Sequence, residues 1–108
     1  MRTIRVADEF SATPGGRYLS DGPFSGEDFR ERILIPALNE GSPVTVVLDG
    51  TRGYPSSFLD EAFAGLARQR QWDRSQFSKH IKIVASPTYK IYEDDIYHYI
   101  DVSQKRAK

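Results

Sequence analysis

The sequence predicts a small single-domain α/β fold, with a mixed, mostly parallel sheet of three to four strands and about three helices. Short β-branched runs alternate along the chain with segments whose apolar residues recur at helical spacing. With 108 residues the chain has room for one hydrophobic core, and aromatic residues at 12% supply bulky material for it. We expect the domain to span residues 1–102, followed by a polar tail at 103–108.

The N-terminal region is expected to begin with a strand near residues 3–9, where Ile4 and Val6 alternate with polar neighbours. A connection from Ser11 to Phe24 follows, and it is rich in glycine and proline. A loop of that length in a compact domain is usually functional or mobile.

The next segment predicts a helix near residues 26–35. Ser25 is placed to cap its N-terminus, and Glu27 and Asp28 put acidic charge in the first turn, where the helix dipole is positive. Pro36 lacks a backbone donor and crowds the preceding turn, so we expect a kink or an early end there.

Residues 44–48 (VTVVL) are the clearest strand, because they are β-branched and almost continuously apolar. That pattern is typical of a central strand covered on both faces. A glycine-rich loop at 49–55 leads to a second helix near 57–69, which Ser56 or Ser57 is placed to cap.

The C-terminal third predicts a polar loop at 69–78, a third strand at 81–85 and a final helix. Successive strands joined by helices are normally parallel. The expected core consists of Phe29, Ile33, Val46, Leu48, Leu59, Phe63, Leu66, Ile83 and Val84.

The composition excludes several classes of protein. Cysteine is absent, which excludes disulfides, thiolate zinc sites and cysteine nucleophiles. Lys+Arg and Asp+Glu both number 15, so nothing favours broad nonspecific binding to nucleic acid or to an anionic membrane. The first residues lack the apolar run of a signal peptide, and no stretch approaches transmembrane length, so we expect a cytoplasmic protein.

Three sequence blocks carry a family resemblance. Residues 14–17 (PGGR), 22–30 (GPFSGEDFR) and 48–63 (LDGTRGYPSSFLDEAF) resemble the STAS-like family of unknown function, a group of small bacterial and phage-associated domains. Many consecutive positions agree, and the resemblance extends over nearly the whole chain.

The resemblance implies a regulatory role. The family is similar in outline to the anti-sigma-factor antagonists, in which a strand ending in Leu-Asp leads to a serine at a helix start. There a histidine-kinase-like ATPase phosphorylates the serine, which switches partner binding off. In this sequence Ser56 and Ser57 fall near that position, and Ser57 lines up better with the modified serine. Pro55 stands where the antagonist pattern has Asp, and Phe58 where it has Gly.

The candidate binding residues lie in the two long loops and at the start of the second helix. Helix N-termini favour anions, and ligands of open α/β sheets gather beyond the carboxyl ends of the strands. Arg17 and Arg52 could clamp a phosphate or carboxylate if their loops converge. The alternative is that each arginine holds its own loop by pairing with Asp21 or Asp49. The candidate phosphorylation sites are Ser57 and Ser56, and the candidates for partner or anion binding are Arg17, Asp49, Thr51, Arg52, Tyr54, Asp60 and Glu61.

Other functions find less support in the sequence. A serine hydrolase would need a histidine beside the serine pair, and the chain offers only His80 and His98 and no Gly-x-Ser-x-Gly elbow. Asp94 and His98 share a helical face but are too few for a metal site. The tyrosines of the C-terminal segment more simply fill the edge of a core than stack on nucleic-acid bases.

The sequence thus favours a regulatory module that binds a protein partner, with a histidine-kinase-like ATPase implied as the kinase by the resemblance. The first alternative is a sensor that binds a small anion or nucleotide at the N-terminus of the helix after the central strand. The second alternative is a hydrolytic enzyme. We expect no cofactor, no intrinsic metal, and no membrane or nucleic-acid partner.

Overall fold

The structure, a computed structural model, describes residues 2–106. Its three strands are β1 (Arg2–Arg5), β2 (Val44–Val47) and β3 (Ile81–Val84). They form one sheet in the order β1-β2-β3, and both pairings are parallel. The predicted α/β class and the central position of the 44–48 strand are therefore confirmed.

The described part of the chain has five helices, where about three were expected: α1 (Val6–Glu9), α2 (residues 26–40), α3 (residues 56–70), α4 (Arg74–His80) and α5 (Lys90–Arg106). Each of α2 and α3 contains a π-helical segment flanked by ordinary α-helix. These segments are Phe29–Leu34 in α2 and Asp60–Ala64 in α3. Short 3-10 turns lie at Leu19–Asp21 and Pro87–Tyr89.

The first strand is shorter than the expected 3–9, because α1 turns the chain away after Arg5. The carboxylate of Glu9 folds back along the outside of β1. It accepts the backbone N–H of Arg5 at 3.0 Å and pairs with the Arg2 guanidinium at 2.7 Å. Glu9 therefore occupies one backbone donor at the end of the edge strand β1.

The segment 69–78, expected to be a loop, contains most of α4. Asp73 and Gln76 form a reciprocal capping box, with N···O distances of 2.8 Å and 3.0 Å. Phe77 anchors the helix in the core. The Asp-x-x-Gln spacing is the sequence signal that indicates the start of this helix.

Pro36 does not end α2, which continues to Glu40. The π-helical segment explains why the proline is tolerated. The backbone N–H of Ile35 donates to the Arg30 carbonyl, five residues earlier, so the helix has already left the i→i−4 pattern where Pro36 lacks its donor.

The helices cover one face of the sheet. On the other face the side chains of β2, Thr45 and Val47, are only half-buried, so the expectation that β2 is covered on both faces is wrong. The inward side chains are Ile4, Val44, Val46, Ile81 and Ile83. On the opposite face, which we call the open face, Thr3, Arg5 and Lys82 are exposed. Val84 was expected in the core but is 47% exposed on this face, because neighbouring strand residues point to opposite sides of the sheet.

The rest of the expected core is confirmed except for Ile33, which is half-buried on the rim of α2. The expected tail at 103–108 is helical as far as Arg106, and Ser103 is buried. Ala107 and Lys108 lie outside the described residues. None of the helices within residues 2–106 is both long enough and apolar enough to cross a membrane.

Two glycines allow α2 and α3 to pack at short range. A Cβ on Gly26 would lie 2.6 Å from the carbonyl oxygen of Phe58, and one on Gly65 would lie 2.7 Å from a guanidinium nitrogen of Arg30. Arg30 is only 6% exposed, and it donates to both the carbonyl and the carboxylate of Glu61 at 2.7 Å. The helix pair is therefore held by a buried ion pair at a contact that only glycine permits.

Gly26→Ala should destabilise the domain by about 1–3 kcal/mol, because the added methyl meets rigid backbone. This loss should appear even though alanine is favoured over glycine in helices by about 1 kcal/mol. The matched control is Gly15→Ala, whose methyl would make only an ordinary 3.8 Å contact with Pro55. Urea unfolding followed by circular dichroism measures the free energy of unfolding of both variants. Equal stability of the two variants would contradict the close approach of α2 and α3.

Candidate functional site

The two glycine-rich loops converge beside the carboxyl end of β2. The backbone N–H of Arg52 donates to the Ala12 carbonyl at 2.8 Å, which joins the second loop to the first. Within the first loop, the backbone N–H of Gly15 donates to the Phe24 carbonyl at 2.9 Å, and this bond closes a compact hairpin-like turn. The convergence on which the arginine hypothesis depended is therefore present.

Arg17 joins the first loop to the start of α3. Its guanidinium lies 2.7 Å from the Asp60 carboxylate and 3.4 Å from that of Glu61. The alternative pairing of its side chain with Asp21 is wrong, because the Asp21 carboxylate accepts the backbone N–H groups of Arg17 and Tyr18 instead. The ion pair thus fixes the loop on a helix 43 residues further along the chain rather than on a neighbour in sequence.

Both acids of this pair have a second arginine partner. Arg68 donates to Asp60 at 3.1 Å, and Arg30 donates to Glu61 at 2.7 Å. Burial by itself would raise the pKa of Asp60, but the hydrogen bonds from Arg17 and Arg68 outweigh it, so the net pKa is lowered. Asp60 is therefore ionised throughout the neutral pH range.

The serine pair does not cap α3, contrary to expectation. The capping position belongs to Pro55, whose carbonyl accepts the N–H groups of Phe58 and Leu59 at 3.1 and 3.2 Å. Ser56 and Ser57 are the first two residues of the helix, and no side chain caps it. The extended conformation of Pro55 ends the loop one residue earlier than the serines require for capping.

The two serines differ in their surroundings. Ser56 is exposed and borders a pocket of about 140 Å³ that is also lined by Arg17, Asp60, Tyr99 and Val102. Ser57 is half-buried and does not line this pocket. A group attached to Ser56 would therefore enter the surroundings of the Arg17 guanidinium.

Three other predicted site residues stabilise the loop after β2. Asp49 accepts the backbone N–H of Ser86 at 2.9 Å, and the side-chain and backbone hydrogen bonds from Ser86 lower the pKa of Asp49. The Tyr54 hydroxyl donates to the Leu48 carbonyl at 2.7 Å, and burial raises the pKa of Tyr54. Thr51 accepts the backbone N–H of Gly53 at 3.2 Å.

Arg52 does not share a site with Arg17. It lines a second pocket, of about 210 Å³, formed with Thr51, Gly53, Thr88, Tyr89 and Tyr92. The expected clamp of two arginines around one anion is therefore not formed, even though the loops that carry them touch.

Two further arginines, Arg30 and Arg68, complete the network around the acids, and the sequence did not indicate either of them as a site residue. In sequence both resemble ordinary surface residues of amphipathic helices. The one available signal is the eight-residue spacing that separates Arg68 from Asp60. The histidines lie elsewhere. His80 stacks on Trp72 at 4.5 Å, and its Nδ1 lies 2.9 Å from the Ser42 hydroxyl.

The serine pair and the true cap of α2 should differ in their effect on stability. Ser25 is buried, and its hydroxyl accepts the Asp28 N–H at 3.1 Å, so Ser25→Ala should cost about 1 kcal/mol. Ser56→Ala and Ser57→Ala should each change the free energy of unfolding by less than about 0.5 kcal/mol. Chemical denaturation measures the free energy of unfolding of all three variants. A loss at either α3 serine as large as that at Ser25 would show that it acts as a cap.

The ion pairs of Asp60 should make stability depend on pH in a defined direction. Burial opposes ionisation of Asp60, but its hydrogen bonds to Arg17 and Arg68 hold its folded-state pKa below the ordinary aspartate value of 3.8. The stability that these ion pairs contribute is therefore fully present above that value and is lost as the pH falls through the lower folded pKa. Asp60→Asn should therefore cost about 1–3 kcal/mol at neutral pH, and the gap from the unmodified protein should shrink in acid.

Urea titrations over a pH series test this expectation. The matched control is Asp101→Asn, which removes an exposed pair with Arg74 and should cost less than about 1 kcal/mol. A gap for Asp60→Asn that stays constant down to the lowest pH at which the domain folds would contradict the assignment.

Comparisons with known proteins identify the family. The profile of the STAS-like domain of unknown function (DUF4325) matches residues 25–86, which include α2, β2, α3 and β3. Comparison with curated proteins found no match. Comparison with solved structures found none either. The matched segment contains the serine pair, the arginine–acid contacts of α2 and α3, and the loop that follows β2. Because it covers more than half of the chain, the chain belongs to the STAS-like domain family of unknown function.

Proposed function

We propose that this domain is a regulatory module that binds a protein partner, and that phosphorylation of its serine pair switches this binding off. The partner surface, which we call the switch surface, consists of residues 14–26 and 50–61. The observation that carries the proposal is that exposed Ser56 borders the same pocket as Arg17, the residue that joins the two parts of this surface.

The composition of the switch surface suits a protein partner. The first loop exposes three large apolar side chains, at 51%, 59% and 38% of their area, which are Tyr18, Leu19 and Phe24. Aromatic and apolar groups surrounded by charges are typical of the centre of a protein interface. The Arg17–Asp60 ion pair links this apolar loop to α3.

A phosphate on Ser56 would add about −1.5 to −2 charges next to that ion pair. Phosphate is a stronger partner for a guanidinium than a single carboxylate, because it offers three acceptor oxygens. The phosphate would repel Asp60 and compete with it for Arg17. The loop that carries Arg17 would then shift relative to α3.

The network lowers the cost of such an exchange. When Arg17 leaves, Asp60 keeps Arg68 and Glu61 keeps Arg30, so neither carboxylate is left buried without a cation. The next two residues of α3 after the serines, Phe58 and Leu59, are fully buried and stay in the core. The switch would therefore change the surface without unfolding the domain, as a binding switch requires.

The same geometry is less suited to the alternative functions at this position. A free anion at the start of α3 would have to approach the ionised Asp60, whereas a phosphate attached to Ser56 is held there by a covalent bond. Within residues 2–106 no histidine hydrogen-bonds to either serine, which does not favour a serine hydrolase.

The kinase is assigned by resemblance. Anti-sigma-factor antagonists are phosphorylated by histidine-kinase-like ATPases, and we propose an ATPase of that superfamily as the partner. The resemblance favours Ser57 as the modified residue, whereas exposure and the neighbouring Arg17 favour Ser56. The two positions are therefore tested separately.

The domain should gain one phosphate on the serine pair when it is mixed with ATP and a histidine-kinase-like ATPase of the organism that encodes it. Peptide mass spectrometry locates the phosphate, and calorimetry compares the binding of the ATPase by the unmodified and phosphorylated forms. Alanine at the modified serine should abolish phosphorylation and retain binding. Aspartate at that serine should weaken binding about tenfold or more, because it repels Asp60.

Ser75→Ala is the matched control, because Ser75 is exposed on α4 outside the switch surface. Arg17→Gln should weaken binding without phosphorylation, because it releases the apolar loop from α3. Absence of phosphate, together with unchanged binding by the alanine and aspartate variants at both serines, would refute the switch.

A further inference from the structure

The second pocket lies where the loops after β2 and β3 meet, at the carboxyl edge of the sheet. We call it the Arg52 pocket, and its lining is Thr51, Arg52, Gly53, Thr88, Tyr89 and Tyr92. Its two walls are bonded to each other. Ser86 donates its backbone N–H to Asp49 at 2.9 Å, and the Tyr89 hydroxyl donates to the Thr51 carbonyl. The pocket is therefore preformed rather than a gap between independent loops.

The lining of this pocket is rich in donors and contains no carboxylate. Arg52 is an exposed residue that lines the pocket, and its side chain forms no ion pair with any residue in the described range 2–106. Thr88 and Tyr92 contribute hydroxyls that likewise have no hydrogen-bond partner among those residues. Asp49, the nearest acid along the second loop, is occupied by its bonds to Ser86.

Gly53 and the tyrosine rings keep the hydroxyl of Tyr92 close to the loop. Gly53 has a φ of +116°, and a Cβ there would lie 2.8 Å from the Tyr92 oxygen. The ring of Tyr92 is held between those of Tyr54 and Tyr89, at centroid distances of 5.3 and 5.9 Å. The aromatic packing thus fixes the direction of the hydroxyl, and glycine is required beside it.

From these contacts we propose that the Arg52 pocket binds a small phosphate-bearing anion, with the Arg52 guanidinium as the main contact and the Thr88 and Tyr92 hydroxyls as further donors. A guanidinium with hydroxyls on one side matches the several acceptor oxygens of a phosphate. The volume of about 210 Å³ is below the range typical of drug-sized ligands, so it suits inorganic phosphate or a small monoester. Residues 51–53 of this pocket also belong to the switch surface, but the proposal does not depend on phosphorylation of Ser56.

The test titrates ¹⁵N-labelled full-length protein with inorganic phosphate and, separately, with glycerol 3-phosphate, at constant ionic strength set by chloride. Saturable shifts of the amides at residues 51–53 and 88–92 are expected. Tighter binding of the monoester would identify an organic phosphate as the ligand, and equal binding would identify phosphate itself; both support the proposal. Shifts that do not saturate, or that occur elsewhere, would overturn it.

Three variants separate the pocket from general charge effects. Arg52→Gln should weaken binding about tenfold or more, because it removes a charge-assisted contact. Tyr92→Phe keeps the ring packing and should weaken binding about two- to tenfold. Arg5→Gln removes an exposed positive charge on the open face and should leave the affinity unchanged. Unchanged affinity in Arg52→Gln, with the protein shown to be folded by its amide spectrum, would refute the site.

Discussion

Arg30 is buried between α2 and α3, where its guanidinium donates to the carbonyl and the carboxylate of Glu61 and to the carboxylate of Glu31. Gly65 leaves room for this guanidinium, and Gly26 allows the backbones of the two helices to approach. A buried charge is tolerated only when it is paired in this way. The contact fixes the position of α3 on α2, and in that position Asp60 of α3 lies 2.7 Å from the Arg17 guanidinium.

The sequence was sufficient for the parts of the fold that depend on local patterns. The β-branched run at 44–48 predicted the central strand, and Ser25 with the acids after it predicted the start of α2, which the Asp28–Ser25 bond confirms. The errors have local causes as well. The sequence of α4 reads as a loop because its capping box is polar. Val84 reads as a core residue because the sequence does not distinguish an apolar residue on an open face from a buried one.

The candidate site was predictable in its loops and its residue types but not in its pairings. The glycines and prolines of both loops indicated a functional region, and the loops do meet. Which arginine meets which acid depends on the crossing of α2 and α3, and no spacing along the chain encodes that crossing. Arg17 therefore pairs with an acid 43 residues away, and Arg52 shares a pocket with hydroxyl-bearing residues that follow β3.

The open face of the sheet has a practical consequence. Because the helices pack on one side only, Lys82 on the other side contacts solvent, and its side chain can be replaced without entering the core. The chain contains no cysteine, so Lys82→Cys would give the molecule a single thiol. A fluorophore or spin label attached there would lie on the layer opposite the helices that carry the switch surface. It would report tumbling and assembly of the domain from a position that leaves both of the proposed binding regions unmodified.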